Sequence, residues 1–237
     1  MITFVGDVHG WIKRLDTILA DAEGEVVFIG DLIDRGPDSR GVIARVRSLV
    51  ADGRARCVMG NHEYAAVRGI GVPSLGIEPT GALFDSWYQF YGGERTAASY
   101  GVTSPDPQAL QSAMREDLEW MAQLPWVLEG SEGARQWIAV HAGLSEDPLE
   151  LQLADLRDVD QWWLPDADLP FILYVKEWVA TVPCDLPDDV TVVSGHVPLE
   201  KVYRTANRLA IDTSGGLENR PLSAVVWPQE RIISVAT

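Results

Sequence analysis

Four histidines in the sequence each come shortly after an apolar run and lie within two positions of a glycine. They are His9, His62, His141 and His196, in the contexts GDVHG, GNHE, VHAG and SGH. Glycine permits a sharp turn after a strand and leaves room for a ligand to approach closely. The shared context therefore indicates one joint site rather than four separate structural histidines.

Oxygen ligands accompany these histidines. Asp7 lies two residues before His9, so both side chains face the same way in an extended segment. Asp31 and Asn61 open two further loops. Two carboxylates, three imidazoles and one amide oxygen form a ligand set that suits Mn²⁺, Fe or Zn²⁺. Six ligands are too many for one catalytic ion with an open position, so they predict two ions about 3.5–4 Å apart that share a carboxylate. The predicted metal ligands are Asp7, His9, Asp31, Asn61, His141 and His196.

The elements that must position these residues are predicted to be β-loop-α units. Apolar and β-branched runs predict strands over Ile2–Val5, Glu25–Ile29 and Ala55–Met59. Apolar residues at helical spacing predict helices over Trp11–Ala20 and Asp38–Val50. Each strand runs into a glycine followed by Asp or Asn. Ligands of open α/β sheets bind at the carboxyl ends of the strands, which is where these loops would lie.

The rest of the chain alternates variable regions with predicted strands. Residues 73–124 predict a mostly helical insertion beside the site, and residues 147–189 predict a second variable insertion rich in acids, prolines and tryptophans. Gln136–Val140 predicts the strand before the third histidine motif, and Val190–Val235 is rich in short strand patterns. We expect a single domain over residues 1–237.

Composition excludes several classes of protein. The 237 residues include 35 acidic and 19 basic side chains, a formal net charge of −16. This balance disfavours non-specific binding to nucleic acid or to anionic membranes. Cys57 and Cys184 form no CxxC pattern, so neither a disulfide framework nor a zinc knuckle is predicted. No apolar stretch approaches the roughly 20 residues that span a bilayer, and we expect a cytoplasmic protein. The sequence leaves the oligomeric state open.

Three blocks in register resemble the signature motifs of the phosphoprotein phosphatase branch of the calcineurin-like metallophosphoesterases. They are Gly6–Gly10 (GDVHG), Gly30–Gly36 (GDLIDRG) and Gly60–Glu63 (GNHE), and the motifs around the last two histidines are similar to the later blocks of that family. Trp87–Thr96 and Ile211–Thr213 also resemble the small bacterial and bacteriophage-lambda-type protein phosphatases. The resemblance implies a four-layer α/β/β/α sandwich with two mixed β-sheets and a mostly helical insertion.

The resemblance also implies where the metals bind. Asp31 would bridge two divalent ions, with ligands on either side. The first ion would be held by Asp7 and His9, and the second by Asn61, His141 and His196. Manganese is the first expectation for both positions, with Fe, Zn²⁺ and Ni²⁺ as alternatives. A hydroxide shared by two such ions is a nucleophile at neutral pH, since metal binding lowers the pKa of water towards about 7.

Further residues have implied roles in phosphoryl transfer. Arg35 would bind the phosphate together with Asn61, because a guanidinium fork neutralises charge on phosphoryl oxygens. His62 would be the general acid, oriented by Asp34, since an alkoxide leaving group needs a proton. We expect His62 to stay protonated near neutral pH beside that carboxylate. Glu63 is expected to anchor the helix that follows.

The implied activity is hydrolysis of phosphoserine and phosphothreonine in proteins, or of a small phosphoester, by direct transfer to water. A dinucleoside tetraphosphate hydrolase is an alternative, although such enzymes usually lack an acid at the Asp34 position. A nucleotide or RNA-end phosphatase, or a 2′,3′-cyclic phosphodiesterase, is another, and the acidic charge disfavours it. A metal-binding regulatory module without turnover is disfavoured because every ligand and the acid are present.

One departure from the family pattern affects phosphate binding. The lambda-type group has a second phosphate-binding arginine between the last two histidine blocks, whereas no arginine lies between Asp158 and His196 here. Lys176 and Arg157 are candidate replacements. A lysine would supply charge without the bidentate fork of an arginine.

Overall fold

The structure, a computed structural model, describes residues 1–164 and 169–236; residues 165–168 of the second variable insertion and the last residue lie outside the described ranges. Within those ranges the chain forms ten strands and eight α-helices. The strands are β1 (Ile2–Val5), β2 (Glu25–Phe28), β3 (Ala55–Cys57), β4 (Val127–Glu132), β5 (Arg135–Val140), β6 (Val190–Ser194), β7 (Tyr203–Arg204), β8 (Arg208–Ala210), β9 (Leu222–Trp227) and β10 (Arg231–Val235). The helices are α1 (Ile12–Asp21), α2 (Ser39–Ala51), α3 (Asn61–Ile70), α4 (Gly81–Ser86), α5 (Gly93–Ser99), α6 (Pro107–Ala113), α7 (Arg115–Met121) and α8 (Leu149–Arg157).

The strands form two mixed sheets of five strands each. The first sheet has the order β10-β9-β1-β2-β3, in which β1, β2 and β3 are parallel. The second has the order β4-β5-β6-β8-β7, in which β5, β6 and β8 are parallel. Because parallel strands end at the same edge of a sheet, each sheet gathers three carboxyl ends and the loops that follow them.

Side-chain alternation along β1 separates two apolar layers. Ile2 and Phe4 face the second sheet, where the Phe4 ring meets the Trp137 ring edge-on with 5.3 Å between centroids. Val5 faces the other way and packs with Leu15 of α1. Successive residues of a strand point to opposite faces, so one face of this sheet lies on the other sheet and the opposite face lies under helices. With α8 against β4, this arrangement confirms the predicted four-layer α/β/β/α sandwich.

The elements predicted for the first 63 residues are all present, with ends that differ by one or two positions. The strand β1 covers the predicted residues, and α2 begins after Asp38, whose carboxylate accepts a hydrogen bond from the Gly41 backbone N–H at 2.8 Å. The sequence analysis missed β4, which carries polar residues and Gly130 within its short span. It also missed α8, which lies in the second variable insertion.

Residues 73–124 are mostly helical, as predicted. They contain α4 to α7 and a π-helical segment, Trp87–Tyr91, which continues directly from α4. The second region, residues 147–189, contains α8 and three short 3₁₀ turns among its described residues. Among the helices that the structure describes, none combines the length and the apolarity needed to cross a bilayer.

Candidate active site

Loops that follow five parallel strands meet at one edge of the sandwich. They carry all six residues that the sequence predicts as metal ligands. After β1, β2, β3, β5 and β6 respectively, these are Asp7 with His9, Asp31, Asn61, His141 and His196. His196 is half-buried and the other five are almost completely buried. The fold therefore brings together side chains that lie up to 189 positions apart in the chain.

The carboxylate of Asp31 is shared by two groups of imidazoles. Its Oδ2 atom lies 3.6 Å from His9 Nε2 and 3.7 Å from His62 Nε2. Its Oδ1 atom lies 3.4 Å from His141 Nε2, in a second group that includes His196. In each group the available ligand atoms lie within 4.8 Å of one another. This geometry suits a carboxylate between two cations, and the first group also includes His62.

Hydrogen bonds to backbone carbonyl groups fix the tautomers of two of the histidines. The Nδ1 atoms of His9 and His141 lie 2.8 Å from the backbone carbonyl oxygens of Ile33 and Ile29, so each ring donates there and turns its Nε2 lone pair towards Asp31. Metal-binding histidines commonly donate their second ring N–H to a backbone carbonyl in this way. The tautomers are therefore those that a metal ion would require.

The group around Asn61 lacks enough protons for the atoms that it brings together. Asn61 Oδ1 lies 2.8 Å from His141 Nε2 and 2.9 Å from His196 Nδ1. Burial lowers the pKa of His141 to about 3 and that of His196 to about 4, so both rings are neutral at pH 7. With the His141 proton on Nδ1, at most one ring proton remains between three acceptor atoms. A cation fits this position better than a hydrogen-bond network does.

A buried oxygen of Asp7 also indicates a cation, beside the group that contains His9. Asp7 Oδ2 accepts a hydrogen bond from the His196 backbone N–H at 2.9 Å, but Asp7 Oδ1 is buried and has no hydrogen-bond partner in the described part of the chain. A Cβ atom at Gly195 would lie 1.9 Å from that oxygen, so only glycine allows this approach. Burial, and then repulsion by Asp212, raise the pKa of Asp7 well above its usual value. A nearby divalent cation would satisfy this oxygen and stabilise its charge.

His62 and Asp34 form a hydrogen-bonded pair beside the first group. His62 Nδ1 lies 2.7 Å from Asp34 Oδ2, and its Nε2 accepts a hydrogen bond from Arg35 Nη2 at 3.0 Å. Burial lowers the pKa of His62 to about 4, although Asp31 opposes this, and burial raises the pKa of Asp34. The prediction that the pairing keeps His62 charged at neutral pH is therefore wrong, because burial disfavours charge on both partners.

Asp212 is a site residue to which the sequence analysis assigned no role. It follows the parallel strand β8 and is buried, and burial raises its pKa to about 6. Its Oδ1 accepts the Gly215 backbone N–H at 2.8 Å, while Gly215 O accepts a hydrogen bond from Arg35 Nη1 at 2.7 Å. Asp212 therefore holds the turn that anchors the guanidinium. Asp212 follows a parallel strand, as Asp31 does, and this position is the feature of the sequence that could have predicted it as a site residue.

Glu63 fixes the loop that carries Asp31. Its carboxylate accepts four backbone N–H groups, from Asp31 and Leu32 at 2.8 Å and from Ile33 and Gly60 at 3.2 Å. The Gly60 contact satisfies the backbone N–H of the residue before α3, which is the Glu63 half of a capping box, since Gly60 has no side chain to return the bond. Glu63 therefore anchors its helix, as predicted, and also ties the loops after β2 and β3 to each other.

Backbone strain is concentrated at the same place. Among the described residues, six that are not glycine have positive φ angles, and five of them belong to the site loops. The five are His9, Asp31, Asp34, Arg35 and His196. Such conformations persist where surrounding contacts enforce them, and they cluster at functional sites.

A cleft of about 300 Å³ opens onto these groups. Phe90 and Tyr91, from the π-helical segment, line one part of it, and Tyr174 and Lys176, from the second variable insertion, line another. Phe90 is 80% exposed, and the Tyr91 ring lies 4.9 Å from the His62 ring. Both insertions therefore contribute aromatic side chains to the cleft, and these contributions were not predicted from the sequence.

The two candidates for the missing arginine lie in different places. Lys176 lines the cleft. Arg157 forms ion pairs with Glu129 at 2.8 Å and Glu150 at 3.3 Å on the surface of the molecule, and it does not line the cleft. The structure thus disagrees with the suggestion of Arg157 and leaves Lys176 as the additional cation at the entrance.

Replacement of Asn61 tests the second group of ligands. Asn61→Ala is expected to reduce bound Mn²⁺ from two ions to one per chain and to abolish turnover, because it removes the oxygen between His141 and His196. Metal content after gel filtration, turnover and circular dichroism measure the effect. Asn207→Ala, which removes hydrogen bonds to backbone carbonyls at the far end of β6, is the control. Unchanged metal content in Asn61→Ala would contradict the assignment.

Metal affinity is expected to rise with pH. A carboxyl ligand must lose its proton to bind metal, and burial raises the pKa of Asp7, so a proton competes with the metal up to a higher pH than at an ordinary aspartate. The lowered pKa values of His141 and His196 mean that these rings have none to release at neutral pH. Calorimetry in buffers of different ionisation enthalpy counts the protons released, and Asp7→Asn should release fewer. Binding without proton release in the unaltered chain would disprove this prediction.

Comparison with known proteins agrees with this geometry. A family model described as calcineurin-like phosphoesterase matches residues 1–227. The chain is 36% identical over 274 aligned positions to the asymmetrical bis(5′-nucleosyl)-tetraphosphatase PrpE of Oceanobacillus iheyensis, covering 100% of this chain and 92% of that protein. It is 27% identical over 218 positions to serine/threonine-protein phosphatase 1 of Salmonella typhimurium, covering 88% of this chain and 84% of that one.

A solved structure shares the fold. A serine/threonine phosphatase from Saccharomyces cerevisiae superposes with a TM-score of 0.62 at 15% identity, covering 100% of this chain and 79% of that one. The match over nearly the whole chain accords with the converging strand-end loops and the paired ligand groups. The chain is therefore a hydrolase that belongs to the calcineurin-like phosphoesterase family, whose members use divalent metals.

Proposed function

We propose that this chain hydrolyses phosphomonoesters of alkyl alcohols, with phosphoserine and phosphothreonine side chains of proteins as its leading substrates. The observation that supports this choice is the His62–Asp34 pair, 2.7 Å apart, beside the shared carboxylate of Asp31. An alkoxide is a poor leaving group that needs a proton, so an oriented acid helps most with such substrates. A phosphoanhydride releases a phosphate group, which needs far less help.

The proposed metal ligands are those predicted from the sequence. One cation would be held by Asp7, His9 and Asp31, and the other by Asp31, Asn61, His141 and His196. Two divalent cations there would supply an activated water and neutralise the phosphoryl oxygens. Arg35 and Asn61 would bind the phosphate, and the contact of Arg35 with Gly215 keeps the guanidinium at the entrance of the cleft.

His62 would transfer a proton from Nε2 to the leaving oxygen. Burial disfavours an ion pair with Asp34, since it raises the pKa of Asp34 and lowers that of His62. In this structure Arg35 Nη2 donates to His62 Nε2, so the ring proton lies on Nδ1. Once Arg35 turns to the phosphate, Nε2 would be free to carry the ring proton towards the cleft, and a proton on the Asp34 carboxyl group would then be donated to Nδ1. The pair then holds two protons with both partners neutral. When the Nε2 proton moves to the leaving oxygen, the Asp34 proton moves to Nδ1, and Asp34 becomes a carboxylate.

The proposal includes further features that the sequence predicts. Manganese is the expected metal, with Fe, Zn²⁺ and Ni²⁺ as alternatives. Residues 1–237 would form one domain, and the protein would act in the cytoplasm on a phosphorylated protein or a small phosphoester.

The leaving group should decide how much His62 matters. His62→Asn in the Mn²⁺-loaded enzyme is expected to lower kcat on a phosphoserine peptide by a factor on the order of 10²–10⁴. It should lower kcat much less on p-nitrophenyl phosphate, whose phenolate leaves without a proton. Equal losses on both substrates would refute the general-acid role, and absence of phosphoserine hydrolysis by the unaltered enzyme would refute the proposed substrate.

A second candidate function is hydrolysis of a bis(5′-nucleosyl) tetraphosphate, favoured by the 36% identity to a protein of that name. The aromatic entrance with Phe90 and the cationic Lys176 would suit a planar base and additional phosphate charge.

This candidate predicts that Lys176→Ala raises KM for diadenosine tetraphosphate about tenfold. The exposed Lys13 of α1 provides the control, Lys13→Ala. No hydrolysis of the dinucleotide, or an unchanged KM, would reject the second candidate.

A further inference from the structure

The carboxyl group of Asp34 is held by two side chains of the helical insertion. Trp87 Nε1 donates to Asp34 Oδ2 at 2.9 Å and lies 3.2 Å from Oδ1. The Thr96 hydroxyl donates to Asp34 Oδ1 at 2.6 Å. Trp87 begins the π-helical segment and Thr96 lies in α5, so both donors come from residues 73–124. The insertion therefore reaches the pair that contains His62.

The same threonine also holds the backbone of Asp34. The Asp34 N–H donates to Thr96 Oγ1 at 2.9 Å and to Ser39 Oγ at 3.0 Å. Because the single Thr96 hydroxyl proton is donated to the Asp34 carboxyl group, the contact of 2.8 Å between Ser39 Oγ and Thr96 Oγ1 must be donated by Ser39. These bonds fix Asp34 in its left-handed conformation, with φ of 73°.

A purely structural role does not account for this cluster. Asp34, Ser39, Trp87 and Thr96 are all completely buried. Burying a carboxyl group and its partners is costly, and apolar side chains of similar volume would stabilise such a position at least as well. This polar cluster reaches the groups around Asp31 through the hydrogen bond of 2.7 Å between His62 Nδ1 and Asp34 Oδ2. The direction of that bond sets where His62 Nε2 points.

We propose that Thr96 and Trp87 are positioning residues for the general acid: they hold Asp34, and Asp34 fixes the orientation of the His62 ring. The inference rests on the proposed role of His62. In this arrangement the helical insertion completes the proton-transfer apparatus as well as forming part of the entrance to the cleft. Neither Thr96 nor Trp87 lines the cleft or belongs to the two imidazole groups around Asp31.

The test compares leaving groups in variants of the two positions. Thr96→Val in the Mn²⁺-loaded enzyme is expected to lower kcat on a phosphoserine peptide about tenfold more than on p-nitrophenyl phosphate, because only the first needs an oriented acid. Thr96→Ser keeps the hydroxyl and should restore the ratio. If Thr96→Val does not fold, Trp87→Phe removes the N–H donor from the same carboxyl group and should shift the ratio in the same direction.

Thr3 provides a matched control. It is completely buried, it donates to Glu23 O at 2.8 Å and accepts the Glu23 backbone N–H at 2.9 Å, and it does not line the cleft. Like Thr96, it therefore acts as both donor and acceptor. Thr3→Val should lower stability without changing the ratio of the two kcat values. Trp126→Phe, at a buried indole whose N–H has no hydrogen-bond partner among residues 1–164 and 169–236, is the equivalent control for Trp87→Phe.

A spectroscopic measurement on the metal-free protein tests the positioning directly. The proton between His62 Nδ1 and Asp34 is expected to resonate far downfield, and to move upfield in Thr96→Val and in Trp87→Phe but not in Thr3→Val. The inference would be overturned if Thr96→Val left this resonance unchanged and lowered kcat equally on both substrates while Asp34→Asn still lowered kcat selectively on the phosphoserine peptide. That result would leave the proposed function intact. Absence of selectivity in Asp34→Asn as well would overturn the role of His62, and the inference with it.

Discussion

The carboxylate of Asp31 contacts histidines that are carried by both sheets. One oxygen faces His9, which follows a strand of the first sheet, and the other faces His141, which follows a strand of the second. Its place depends on Glu63, which binds the backbone of the Asp31 loop and the start of α3 with one carboxylate. Sheet packing and loop anchoring thus determine the spacing of the two ligand groups more directly than any contact between the ligands themselves.

Burial of the carboxyl groups and imidazoles makes the site favourable for cations. It raises the pKa of Asp7 and of Asp34, and it lowers the pKa of His9 and of His141. Charged groups in such surroundings are stabilised only by close partners of opposite charge. Divalent cations would be such partners for the carboxylates, and neutral imidazoles are ready to bind them. A chain with a net charge of −16 can in this way present a locally positive site to a phosphate group.

That the predicted ligand residues converge at one place could be predicted from the sequence, whereas their surroundings could not. Asp31 and His141 stand at the ends of short apolar runs, where strand geometry alone places them at a sheet edge. The aromatic entrance depends on how the insertions pack, so the position of Phe90 has no local signal. The charge of His62 was predicted wrongly because the sequence showed its carboxylate partner but not its burial. Asp212 was missed because its hydrogen-bond partners are backbone groups of its own turn, which the sequence does not show.

The most direct measurement of the central claim is a crystal structure of the Mn²⁺-soaked protein with anomalous data at the manganese edge. The account predicts two anomalous peaks about 3.5–4 Å apart, one on each side of the Asp31 carboxylate. A single peak, or two peaks that do not share Asp31, would contradict it.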